Sequence, residues 1–296
     1  MVNCGEELIR VCSEKNIKIW EYALENEAKS TGVSADKIIE KMKNNLKIMK
    51  NSAEYGMKHR VKSISGLIGG DAYKLNEYIK KGNSLTGDFN LKLMARALSC
   101  SEVNAAMGKI VAAPTAGSCG ILPAVIISVG EKLEKSEDDL VKALLTAGCI
   151  GMIIAKNATI SGAEGGCQAE CGSASAMAAA AVVEMMGGTV EMALNASAIV
   201  IKNILGLVCD PVAGLVEIPC AKRNSFGAIN AVSAADMVMA GISSKIPFDD
   251  TVSALYDVGR RMPCELRETA LGGLAVTKTG LKLKEKVLNK DAEAKY

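Results

Sequence analysis

The sequence predicts an all-α fold, with one large helical domain preceded by an N-terminal helical segment. Three observations point there. Long segments rich in Ala, Gly and Met have helix-like lengths, and Ala and Met are strong helix formers. The alternation of strand, glycine turn and helix that builds a doubly wound sheet does not recur along the chain. The aromatic residues are three Phe, six Tyr and one Trp, too few for a large aromatic-rich β-sandwich core. At 296 residues, with 49% hydrophobic and 23% charged, the chain is long enough to bury a substantial core.

The elements follow in order. Residues 6–28 and 35–53 mix charged and apolar positions at helical spacing, as in Ile38, Ile39, Met42, Leu46 and Met49. Thr31-Gly32-Val33-Ser34 separates them, with Ser34 a candidate N-cap. Lys58-His59-Arg60-Val61-Lys62 reads as a solvated basic helix end. From Gly66 the texture changes to small residues, with a turn at Gly69-Gly70 and a loop over 82–88. Helices are then expected over 91–107, 121–133, 138–154, 173–186, 194–206 and 228–240. Several carry few charges, so they are apolar around most of their circumference and belong inside a bundle. The organisation expected is an N-terminal segment over 1–64, a main domain over 65–280 and a charged, frayed tail over 281–296.

Composition excludes several classes of function. The net charge is +2, so no strong field calls for nucleic acid or an anionic membrane. His59 is the one histidine, so Ser-His-Asp or Cys-His catalysis must involve it. Zinc sites with two or more His are not available. The longest uncharged stretch, 110–130, is interrupted by Pro114, Pro123 and three glycines, unlike a membrane span of roughly 20 apolar residues. Glu6 and Glu7 occupy the place of a basic signal-peptide region, so a reducing cytosol with free or metal-bound thiols is expected.

Four segments concentrate glycine, cysteine and polar residues between the apolar helices. Pro114-Thr115-Ala116-Gly117-Ser118-Cys119-Gly120 offers backbone N–H groups and two hydroxyls, suited to an anionic group or simply to a capped turn. Ser161 through Gly172 surrounds Cys167 and Cys171 with glycines that let backbone crowd a ligand. Cys209-Asp210-Pro211 through Cys220-Ala221-Lys222-Arg223-Asn224 places two thiols about a proline-stiffened loop. Arg261 through Gly273 forms the fourth segment. No C-x-x-C is present, so the commonest zinc knuckle is missing. Thiolates from separate loops suit an iron–sulfur cluster, although a single Cys is more often a small buried hydrophobe.

The glycine-rich loop at 114–120, Gly165-Gly166-Cys167-Gln168-Ala169-Glu170-Cys171-Gly172, the 209–224 segment and Arg267-Glu268-Thr269-Ala270-Leu271-Gly272-Gly273-Leu274-Ala275 together resemble the iron–sulfur-dependent L-serine dehydratases. The resemblance spans roughly 65–280 and is nearest to the α chain of the two-chain form. It implies a helical catalytic domain, a [4Fe–4S] cluster on Cys167, Cys209 and Cys220, and conversion of L-serine to pyruvate and ammonia. Cys171 lies one helical turn from Cys167 and is the less favoured substitute ligand. Cys119, Cys149 and Cys264 are read as packing residues.

Thr115, Gly117, Ser118 and Ser161 are the expected substrate-positioning residues, with Lys222 as a charged assistant or a solvated loop end. The single-chain members carry an additional N-terminal domain, so a separate β chain is expected to supply the proton-handling base. Some of those members end in a cysteine that reaches the cluster; the matching position here is Gly280. Three rivals remain open. A pyridoxal-phosphate enzyme would use Lys156 or Lys222, an electron carrier would add Cys171 as a fourth ligand, and a related cluster enzyme would act on cysteine.

Overall fold

A computed structural model describes residues 2–293. Among them the chain forms thirteen α-helices and no strand, with isolated bridges between Lys62 and Gly69 and between Cys209 and Arg267. The all-α expectation is met.

The first expected helix divides into α1 (Gly5–Lys15) and α2 (Ile19–Thr31). Asn16 turns left-handed at φ 52°, and the Ile17 N–H returns to the Cys12 carbonyl at 3.0 Å. The chain restarts where Glu21 accepts from the Lys18 N–H at 2.8 Å. Helix α3 (Ala35–Lys58) begins after Ser34, whose side chain makes no capping bond. Leu8, Ile19 and Leu46 from these helices enter the same apolar core as the central bundle.

The bundle comprises α4 (Asp71–Ile79), α5 (Gly87–Ala105), α6 (Ile121–Lys132), α7 (Glu137–Asn157), the single turn α8 (Gly162–Gly165), α9 (Ser173–Met185), α10 (Val190–Ile204), α11 (Cys220–Met239), α12 (Phe248–Arg261) and α13 (Lys278–Glu293). Helix α9 is its axis. Its run from Ser173 to Val183 is buried throughout, and α6, α7, α10 and α11 pack around it. Alanine gives that close approach, and so does Gly227 on α11. A Cβ there would begin 2.6 Å from Ile121 Cδ1 and 2.7 Å from Ser175 Oγ. On the outer side, Arg96 of α5 is 1% exposed and ties α3 to α6 through Glu54, Ser128 and Glu131.

Three differences from the sequence expectation matter. Helices α4 and α12 are not among the helices the sequence predicts. Helix α11 starts two turns earlier than 228, so Lys222 and Arg223 stand on its first turn and Asn224 opens its second, rather than on a loop. The charged tail is helical from Lys278 to Glu293, with Gly280 inside the helix; residues 294–296 lie outside the described residues. Among the described residues no helix is long and apolar enough to cross a membrane.

Candidate active site

The chain leaves α8 through Gly166, which has φ +75°; a Cβ there would strike Met262 Sδ at 2.7 Å. It then makes a π-helical turn, Gln168–Gly172, before entering α9. Gln168 is fully buried and locks this turn in place. Its amide donates to the Leu255 carbonyl at 2.9 Å and accepts from the Gly206 N–H at 2.8 Å. Cys167 and Cys171 therefore stand at the head of the bundle axis, with their sulfurs 3.4 Å apart.

Cys209 is held by backbone on both sides. Its N–H donates to the Leu266 carbonyl and its carbonyl accepts from the Glu268 N–H, both at 2.8 Å. The next residue, Asp210, accepts from Arg223 Nη2 at 2.9 Å and from the Leu274 N–H at 2.8 Å. Arg223 Nη1 also donates to the Val208 carbonyl at 2.7 Å. The guanidinium so joins the first turn of α11 to the Cys209 loop.

Cys220 opens α11, and one turn later Asn224 reaches the glycine loop. Asn224 donates to the Gly117 carbonyl at 2.7 Å and accepts from the Gly120 N–H at 2.9 Å. All four motif segments are thereby fastened around one locus.

The four thiols Cys167, Cys171, Cys209 and Cys220 are buried and free. The neighbouring Cys171 thiol holds Cys167 below the usual thiol range, outweighing its burial, and the Arg223 charge helps. Burial pushes Cys220 up to about 12, with the Cys167 charge adding to it, and the same two causes raise Cys209. Burial works against the Arg223 charge, but the Cys167 and Asp210 anions prevail and raise its pKa. Such a set of buried sulfurs is uncomfortable as bare thiolates and suits a cationic inorganic core. Among the described residues no three His, Cys, Asp or Glu close around one ion. A cluster of several irons instead takes its thiolates on different metal atoms.

The remaining expected residues divide. Ser118 is fully buried and serves the turn itself, 3.1 Å from Thr115 Oγ1. Thr115 and Gly117 face the Glu170 carboxylate. The Ser161 N–H is engaged by Thr159 Oγ1 at 3.1 Å. Lys222 is paired with Asp71 at the start of α4. Lys156 bonds to Asn3. His59 is exposed and lies against the Tyr55 ring, with centroids 4.6 Å apart. Cys119 and Cys149 are buried packing residues, whereas Cys264 is exposed.

Sequence reasoning quoted Glu170 and Glu268 without giving them a role. Both carboxylates lie against Gly162, and Glu170 also lies against Gly117. Burial raises the Glu170 pKa against the Thr115 hydrogen bond, and the Glu268 charge raises it further. The signal that marked them was an acid inside each of two glycine-rich motifs.

Residues 14–275 match the family described as serine dehydratase alpha chain. The chain is 51% identical over 282 residues to the probable L-serine dehydratase, alpha chain, of Bacillus subtilis (strain 168), covering 95% of this chain and 94% of that protein. It is 50% identical over 288 residues to the L-serine dehydratase, alpha chain, of Peptoniphilus asaccharolyticus, covering 97% and 99%. Against the L-serine dehydratase of Streptomyces coelicolor it is 38% identical over 280 residues, covering 92% of this chain and 60% of that longer protein. Similar nearly end to end to these alpha chains, the chain belongs to the serine dehydratase alpha chain family.

Proposed function

We propose that this chain is the cluster-bearing subunit of an L-serine dehydratase, forming pyruvate and ammonia from L-serine together with a β chain. The observation that carries the reading is that three buried thiols from separate segments lie near one another, Cys167 and Cys220 beside the Arg223 guanidinium and Cys209 beside both of those thiols. Family membership supports the same reaction.

Cys167, Cys209 and Cys220 would hold a [4Fe–4S] cluster, with Cys171 as a hydrogen-bonding neighbour. When bound, the cluster supplies Lewis-acid assistance to the departing hydroxyl. The chain's own residues arrange the rest. Arg223 and Asp210 fix the Cys209 loop, and Asn224 fixes the glycine loop to the Cys220 helix. Among the described residues the N–H groups of Ala116 and Gly117 find no acceptor, leaving them open to the substrate carboxylate. Thr115 and Ser161 line the same side, while Ser118 keeps the turn in shape.

A base, supplied by the β chain, takes the α-proton as the hydroxyl leaves with its bonding pair. The 2-aminoacrylate so formed tautomerises and hydrolyses to pyruvate and ammonia without further protein chemistry. The test is anaerobic co-expression with the β chain, followed by iron and sulfide counts and pyruvate release from L-serine. Cys209→Ser is expected to lose both the brown absorbance and turnover. A fully active, iron-loaded Cys209→Ser enzyme would refute the ligand assignment.

A further inference from the structure

Two acids and an arginine gather about the short α8 turn, and among the described residues none of them is in an ion pair. Glu170 Oε2 lies 2.9 Å, and Glu268 Oε2 3.1 Å, from the point where a Gly162 Cβ would sit. The two oxygens are therefore within about 6 Å of each other, close enough for like charges to repel. Among the described residues neither carboxylate has an ion-pair partner.

Arg267 precedes Glu268 and lies against the same short turn, with Nη1 3.4 Å from the Glu164 carbonyl. That long contact is its one side-chain hydrogen bond among the described residues, and its buried Nε has no acceptor. An unsatisfied buried guanidinium nitrogen is costly and calls for an anion. Glu268 itself takes a left-handed backbone at φ +63°, a strain that persists where a side chain must be aimed.

Gly162 and Gly117 keep the face of these groups clear, since a Cβ at either would press on the Glu170 carboxylate. A free amino acid is the complementary object. It carries an ammonium and a carboxylate on one carbon, and burying either without a partner is unfavourable.

We propose that Glu170 and Glu268 receive the substrate's α-ammonium and that Arg267 helps to hold its carboxylate. The site then selects α-amino acids over hydroxy acids or amino alcohols of the same size. The inference rests on the proposed dehydratase reading and adds what reads the two charged ends of the substrate.

The test uses the anaerobically prepared α/β holoenzyme with two competitive probes, 3-hydroxypropanoate, which lacks the amine, and ethanolamine, which lacks the carboxylate. E170Q and E268Q are expected to raise the KM for L-serine at least tenfold and to weaken ethanolamine, leaving 3-hydroxypropanoate unchanged or tighter. R267Q is expected to weaken serine and 3-hydroxypropanoate but not ethanolamine. Unchanged cluster absorbance shows that the variants are intact, and E170Q carries the ammonium arm alone should E268Q fail to fold.

Equal responses of the two probes in each variant, or a fall in kcat at constant KM, would overturn the proposal. Wild-type holoenzyme that releases no pyruvate would instead refute the dehydratase reading. Calorimetric titration of wild type and E170Q with both probes would then still judge the receptor, with indifference of both proteins to the ammonium overturning it.

Discussion

Cys167 and Cys171 stand one turn apart at the head of the most buried helix, but they are not equivalent. The Cys171 thiol stabilises the anion of Cys167, while Cys171 itself is pushed well above the usual thiol range by that partner and by burial. Cys167→Ser and Cys220→Ser are expected to abolish cluster absorbance and activity. Cys171→Ala should keep the iron and lose at most part of the rate, as iron analysis and pyruvate assay will show. The choice of Cys167, Cys209 and Cys220 came from the family resemblance, since composition and spacing alone do not set them apart from Cys171. The closeness of Glu170 and Glu268 was not legible there. Glu170 and Glu268 are far apart in sequence and become a pair through the turn at Gly162, which periodicity does not encode.

At the scale of elements, the helices that were legible were those whose composition leaves no alternative. Helix α9, nearly all Ala, Ser, Val and Met, has no polar face to present to water. The break at Asn16 was hidden because apolar spacing runs through it, and a left-handed Asn supplies the stop. The start of α11 was hidden because Lys222, Arg223 and Asn224 read as loop polarity, although each grips another segment.

The capped start of α7 gives a direct check. Ser136 Oγ accepts from the Asp139 N–H at 3.2 Å, so Ser136→Ala is expected to lower unfolding stability by about 1 kcal/mol in denaturant titration. Glu184, on α9, accepts from the Ile19 N–H of α2 at 2.8 Å and from Thr146 of α7. Burial raises its pKa despite those bonds. The folded state therefore holds this proton more tightly than the unfolded state. The stabilisation is full below the ordinary carboxylate range and fades as pH rises through the raised value. The melting-temperature advantage of wild type over Glu184→Gln should accordingly be larger at about pH 5 than at about pH 8.

Over the whole molecule, one apolar core runs from Leu8 to Leu255 and seats the N-terminal helices with the bundle. Cys167, Cys171 and Cys209 are part of that core, which the chain builds from its own residues. The chain expressed without its β chain should therefore fold and accept iron, as circular dichroism and metal analysis will show. Pyruvate release should require the partner, since the lone His59 is exposed at the end of α3 and not among the thiols. Oxygen should bleach the protein before it unfolds it.

Helix α13 rests on the Val212–Gly214 turn, inside the loop that joins Cys209 to Cys220, and on the turn at Gly273–Val276. A handle attached to the carboxyl end would tug on that loop, whereas one placed ahead of α1 would pull on a helix that packs against α2, α10 and α12. Immobilisation or display of this protein is best anchored through its first residues.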